Sequence, residues 1–234
     1  MKTYGQYCPV AQALEVIGNR WTLLIIRDML TGTRHFNDLA RGLPGISRGL
    51  LAKRLRQLET AGLVEKRHME SGQQTTEYHL TSAGEDIQDI INALLIWGSK
   101  WAFGDPSPHH LDPLLLMWWM HQRVNREHLP EDRIVIQFDF YGAKNETYWL
   151  VLSTADVTLC LTDPGYEINL LVVADLATFF KLWLGKIDYY EVIDSSQLTI
   201  EGIPQYVRAF PRWFAWSLAA PAVRAAESTN QQRT

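Results

Sequence analysis

The order of elements written into residues 34–84 constrains this chain more than any other feature. Residues 36–43 read as a helix that stops at Pro44-Gly45, and residues 47–59 read as a second helix. Leu63-Val64-Glu65-Lys66-Arg67-His68-Met69 alternates as a strand, and Glu70-Ser71-Gly72-Gln73-Gln74 is a polar turn. Thr75-Thr76-Glu77-Tyr78-His79-Leu80 alternates again before Thr81 or Ser82 opens a further helix. In the second helix Leu51, Leu55 and Leu58 recur at helical spacing and form the stripe to be buried. Arg48, Gly49, Ala52, Lys53 and Arg56 therefore share the opposite face. Ser47 can accept a hydrogen bond from an amide of the first turn as an N-cap, and Ala61-Gly62 closes the helix.

Residues 34–67 hold eight basic and three acidic side chains, a net +5 within a chain of formal charge -4. Phosphate backbones attract such a patch through counterion release, with little regard to sequence. An isolated basic helix is most often a solvated surface. Here it stands in the order of a winged helix-turn-helix: one helix to enter the major groove, one to brace it, and a hairpin to reach the flanking backbone. Arg48, Lys53 and Arg56 are the candidates for groove contacts, Lys66 and Arg67 for seating the hairpin on phosphate, with Arg34 and Ser47 completing the set. The expected partner is double-stranded DNA.

With 234 residues and 47% apolar content the chain can bury a large core in one or two domains. Residues 1–103 carry a net +2 and residues 104–234 a net -6, as expected of a DNA-facing domain joined to one that has no reason to touch DNA. Before the basic region, residues 12–16 read as a short helix and residues 20–30 as one that is apolar almost all round. After the hairpin, Ile87, Ile91, Leu94, Gly98 and Trp101 lie on one stripe of a long helix over residues 82–103, an extra apolar face suited to a second subunit. Gly104-Asp105-Pro106-Ser107-Pro108 forbids a continuous helix and makes residues 104–111 a linker.

Asp112-Pro113 starts a new helix, and residues 133–141 alternate with Ile134, Ile136, Phe138 and Phe140 on one face. Further strands are expected over residues 146–153, 157–161, 166–173 and 198–201, with a helix capped by Asp175 over 176–184 and a closing helix over 204–217. This is an α+β layer over residues 112–218, leaving 219–234 as a flexible tail.

Two resemblances can be read at this point. Cys8, Ile17-Gly18-Asn19-Arg20-Trp21-Thr22, Arg34-His35-Phe36-Asn37-Asp38-Leu39, Gly45-Ile46-Ser47, Leu55-Arg56-Gln57-Leu58-Glu59, Gly62-Leu63-Val64 and Tyr78-His79-Leu80-Thr81-Ser82-Ala83-Gly84 resemble the HxlR-type branch of the MarR-like transcription regulators over residues 5–103. The pattern departs from that family where His35 separates Arg34 from Phe36, and where the hairpin turn lacks a proline. The resemblance implies a homodimer formed through the 82–103 helix, and a cysteine at the position of Cys8 that senses oxidants or electrophiles. Residues 112–218, through Ala174-Asp175-Leu176, Leu184-Gly185-Lys186, Leu198-Thr199-Ile200-Glu201-Gly202 and the aromatic run 207–214, look like a sterol-carrier-protein-type domain. That resemblance implies a helix over 188–194 and an apolar tunnel for a lipid-like ligand. Its candidate lining is Ile136, Phe138, Phe140, Phe179, Phe180, Trp183, Phe210 and Phe214.

Other chemistry has less support. Gly45-Ile46-Ser47-Arg48-Gly49 formally matches an esterase nucleophile elbow, but that chemistry needs a strand immediately before the serine, and Ser47 serves better as a cap. The seven histidines show no zinc spacing, and no phosphate-binding glycine motif occurs, so no catalytic residue, metal or cofactor is expected. Cys8 and Cys160 imply no disulfide framework. Cys8 sits at a helix start, where amide dipoles favour a thiolate, although a small buried residue would also suit the place. Residues 104–234 hold 18 of the 26 aromatic residues, most of them core, the rest suited to a cavity or to protein contact. Without a signal core or membrane-length apolar run, a cytoplasmic protein is expected. The sequence thus favours a non-enzymatic, homodimeric DNA-binding regulator, a repressor, tuned by an apolar effector. The alternative is a lipid or acyl-chain carrier whose winged helix mediates protein contact.

Overall fold

The computed structural model describes residues 3–69 and 75–231. Two compact units divide the chain between Leu94 and Leu95.

The first unit is built on α1 (Pro9–Ile17), α2 (Thr22–Leu30), α3 (Phe36–Gly42), α4 (Arg48–Thr60), an antiparallel hairpin of β1 (Val64–Met69) and β2 (Thr75–Leu80), and α5 (Ser82–Glu85). Pro9 stands at the first turn of α1, where its missing amide costs nothing, so the helix starts earlier than apolar periodicity alone suggests. In contrast α2 starts later, at Thr22, because Trp21 adopts a left-handed φ of 81°. Ile25, Ile26, Leu39, Leu51, Leu55 and Leu58 are at most 2% exposed and form the heart of this unit.

The long helix expected after the hairpin is broken. It turns at Asp86 and Ile87, between α5 and α6 (Gln88–Trp101). Gly84 lies so close to the Leu63 carbonyl that a Cβ there would approach it to 2.2 Å, which pins α5 onto the hairpin base. The expected stripe also divides. Ile87 and Ile91 are buried, whereas Leu94 and Trp101 are exposed.

The second unit carries a five-stranded sheet in the order β5-β4-β3-β6-β7, formed by β3 (Ile134–Tyr141), β4 (Glu146–Leu152), β5 (Val157–Cys160), β6 (Leu170–Asp175) and β7 (Leu198–Gly202). Only the β3-β6 pair is parallel; the others are antiparallel. Ile134, Ile136, Phe138 and Phe140 of β3 face a core shared with α7 (Pro113–Gln122) and α8 (Leu176–Trp183), as the alternation requires. Asp112 and Asp175 cap those helices, accepting from Leu114 N at 3.0 Å and from Thr178 N at 2.8 Å. A further short helix, α9 (Tyr189–Asp194), precedes β7.

Three expectations need correction here. The strand expected from residue 166 begins at Leu170, because Asn169 exchanges hydrogen bonds with the Val135 backbone and fixes the entry to β6. The closing helix ends after α10 (Pro204–Ala209), where Pro211 cannot donate and the chain tightens into a 3-10 turn over Phe210–Arg212. Residues 219–234 are not a flexible tail in their described part. Ala220–Gln231 forms α11, which buries Ala220 and Val223, as the alanine-rich run 219–226 favours. The linker segment is also tied down: Asp105 meets Lys186 at 2.9 Å and Lys181 at 3.4 Å, Ser107 caps a 3-10 turn over Pro108–His110, and Leu111 joins the core.

Candidate nucleic-acid interface

Helix α4 carries the candidate interface. The Ser47 hydroxyl accepts from Leu50 N at 3.2 Å, so it is engaged as the cap. The leucine stripe faces inward, while Arg48, Gly49, Lys53 and Arg56 stand exposed and Ala52 half-buried on the other side. The turn before α4 depends on Gly45 at φ 90°, a backbone region that glycine enters at little cost.

The cations of α4 differ in what holds them. Arg48 donates from Nη2 to Asn37 Oδ1 at 2.7 Å and lies 5.2 Å over the Phe36 ring, so it is anchored to α3. Arg54 donates to the Arg20 carbonyl at 3.1 Å and to Gln57 Oε1 at 2.7 Å, bracing α4 against the turn that precedes α2. Among the described residues the Lys53 and Arg56 side chains have no hydrogen bond or ion pair, although the Arg56 carbonyl accepts from the Thr60 hydroxyl at 2.9 Å. Both border a groove of about 300 Å³, together with Val16, Asn19, Gln57, Thr60 and Ala61.

The hairpin cations are engaged with acids. Lys66 lies 3.1 Å from Glu59 Oε2 and 5.9 Å from the Tyr78 ring centroid, and Arg67 binds Glu65 through Nε at 2.8 Å and Nη2 at 2.5 Å. Two glutamates therefore offset part of the positive field expected of this wing. The expected turn at residues 70–74 lies outside the described residues. Arg34 sits at the hairpin base, its carbonyl accepting from Tyr78 N at 2.8 Å and its Nη1 donating to His79 Nδ1 at 2.5 Å. A hydrogen bond from His79, with the nearby charges of His35 and Arg34, holds the Glu77 carboxyl below the usual range.

Cys8 is the N-cap of α1, and the amides of Ala11 and Val10 lower its thiol from the ordinary value. Burial moves Cys160 the other way. The eight residues proposed to line a ligand tunnel are all at most 4% exposed, in one continuous core. Their rings pack edge to face, with centroids 6.1 Å apart for Phe138 and Phe179, 5.6 Å for Phe140 and Phe179, and 5.3 Å for Phe210 and Phe214. They pack the space between sheet and helices with one another. Among the described residues no group of three or more His, Cys, Asp or Glu side chains could hold a metal ion, and no helix is long and apolar enough to cross a membrane.

Asn37 and His79 join the candidate interface through the arginines they hold, and Glu77 through His79; none of the three was singled out as a site residue in the sequence. The only local signal was the two-residue spacing of Glu77 and His79 on one face of β2.

A basic helix presented behind a glycine turn and beside a two-stranded wing defines a helix-turn-helix transcription regulator of the MarR-like, winged class. Residues 16–105 match the family model described as HxlR-like helix-turn-helix. An uncharacterized HTH-type transcriptional regulator of Mycobacterium tuberculosis is 39% identical over 117 residues, covering 46% of this chain and 73% of that protein. A second, from Synechocystis, is 35% identical over 97 residues, covering 42% of this chain and 72% of its own. Among solved structures, the redox regulator HypR in its oxidized form is 31% identical, covering 42% of this chain and 100% of that one at a TM-score of 0.39. The chain belongs to the HxlR-like helix-turn-helix family through its N-terminal part.

Proposed function

We propose that the protein is a homodimeric repressor that binds a pseudo-palindromic operator through α4 and is tuned by an apolar effector. The observation that carries the DNA reading is the exposed face of α4, on which the Lys53 and Arg56 side chains have no hydrogen-bond or ion-pair partner among the described residues. Arg48, held beside Phe36, reaches the base edges, while Arg34, Lys66 and Arg67 lie on phosphate. The dimer reading is supported by an outward stripe on α6, where Ile90, Leu94, Trp97 and Trp101 are 41–63% exposed at spacings of four, three and four residues. Two copies joined there would present their recognition helices to successive major grooves about 34 Å apart.

The effector reading is supported by the predominantly apolar layer between sheet and helices in the second unit, where a ligand would part the packed rings. The redox reading is supported by the amides that lower the Cys8 thiol. Titrating a labelled duplex at low and moderate salt tests the DNA reading: affinity falls steeply with salt if phosphates are neutralised, and a salt-insensitive or undetectable interaction rejects it. Calorimetric titration with fatty acids and acyl thioesters tests the effector reading, and no uptake rejects it.

A further inference from the structure

Resting on the DNA reading above, we propose that His79 is a positioning residue for Arg34: its neutral imidazole holds the guanidinium at the wing base, and a second proton on the ring releases it. The geometry fixes the tautomer. Arg34 Nη1 lies 2.5 Å from His79 Nδ1, and a guanidinium can only donate, so Nδ1 must accept. The ring proton is then on Nε2, which lies 2.7 Å from Glu77 Oε2 and donates to it. Arg34, His79 and Glu77 thus form a directed chain of hydrogen bonds in which each group has one compatible role.

The main chain reinforces the arrangement. The Arg34 carbonyl accepts from Tyr78 N, and His35 forms an isolated bridge to Glu77, so the segment leading into α3 is fixed to β2. The His79 side chain is only 13% exposed, whereas Arg34 is exposed. Its remaining guanidinium donors stay available to a phosphate, and the ordering cost of the side chain is met before DNA arrives.

Protonation of His79 reverses this. An N–H on Nδ1 would oppose the Arg34 N–H across the same short separation, placing two donors and two positive charges against each other, while Glu77 keeps its bond to Nε2. Arg34 must leave.

The neighbouring charges do not supply a substitute acceptor. On β1, in register with His79 and Glu77, Glu65 and Arg67 are bonded to each other. His35 Nε2 stands 3.7 Å from the second Glu77 oxygen. Of the helices packed on β2, α2 carries the Arg27–Asp28 pair, α3 the Asp38–Arg41 pair, and α5 Glu85.

The test uses the full chain and a fluorescein-labelled, mixed-sequence duplex of about 30 base pairs, long enough for two half-sites. At about pH 8, Arg34→Ala and His79→Phe should each weaken binding by about tenfold, and the double variant should be no weaker than either alone. His79→Asn keeps a neutral acceptor near the Nδ1 position and should bind like the parent. At about pH 5.5 the cost of Arg34→Ala should fall to less than about twofold in the parent background and stay near tenfold in the His79→Asn background. Both backgrounds retain His35 and His68, so any contribution from those two rings cancels. Multiplying penalties, or an Arg34→Ala cost equal at both pH values in the parent, would overturn the assignment. Nitrogen-15 spectra of the imidazoles at about pH 8 read the same point without DNA. They should show His79 protonated on Nε2 alone, and a proton on Nδ1 overturns the assignment. If the parent fails to bind the duplex while the spectra show the Nε2 tautomer, the DNA reading fails and the hydrogen-bonded chain stands.

Discussion

Replacing Lys53 and Arg56 together by alanine should reduce the salt dependence of DNA binding without unfolding the protein. Both side chains are exposed on α4 and make no internal hydrogen bond or ion pair among the described residues, so their removal leaves no buried group unsatisfied. Alanine is also the best helix former, so α4 should persist. If each cation neutralises one phosphate, the slope of log affinity against log salt becomes shallower by about 0.9 per residue, hence by about 1.8 for the pair. Between 50 and 200 mM salt that difference amounts to about twelvefold more affinity lost by the parent than by the variant. Fluorescence anisotropy across a salt series measures both slopes. Arg54→Ala is the control: it breaks the bond to the Arg20 carbonyl and should lower stability by about 1–2 kcal/mol while leaving the slope within error of the parent. An unchanged slope in the double variant, with its circular dichroism intact, would mean that these two groove-facing cations neutralise no phosphate and would refute their place in the DNA contact.

Three further outcomes follow from the structure. Trp97→Asp, on the exposed stripe of α6, should halve the mass seen in sedimentation at micromolar concentration; an unaltered mass would place the interface elsewhere. Cys8 should be labelled by iodoacetamide at lower pH than Cys160, because amide hydrogen bonds favour the thiolate of Cys8 while burial disfavours that of Cys160; equal pH–rate profiles for the two single-cysteine variants would remove Cys8 from consideration as a sensor. Val223→Asp, which places a charge at a 2% exposed position of α11, should destabilise the second unit by more than about 2 kcal/mol in urea titration, and an unshifted midpoint would mean that α11 contributes no core.

The parts of the fold that were legible in the sequence are those fixed by local periodicity. The three leucines of α4, the alternation of β3, and the caps at Ser47, Asp112 and Asp175 each report a single element and appear where the pattern places them. The break between α5 and α6 was not legible, because no proline or glycine marks residues 86–87 and its visible constraint is the distant contact of Gly84 with Leu63. Helix α11 was missed because its polar residues read as a tail, while its small buried face shows itself only where Ala220 meets Gly185. Basic residues could be counted in advance, but not their partners. Arg48 finds Asn37 from another helix, and Lys66 finds Glu59. The aromatic set of the second unit shows the same ambiguity from the other side, since phenylalanines that could wall a tunnel are, by composition, equally able to fill a core.

Selection of binding sites from a random duplex library, followed by affinity measurement on the enriched and unselected pools, tests the central claim most directly. The account predicts two inverted half-sites with centres about one helical turn apart, bound at least about a thousandfold more tightly than random DNA at physiological salt. Enrichment of no motif, with equal affinity for both pools, would contradict it.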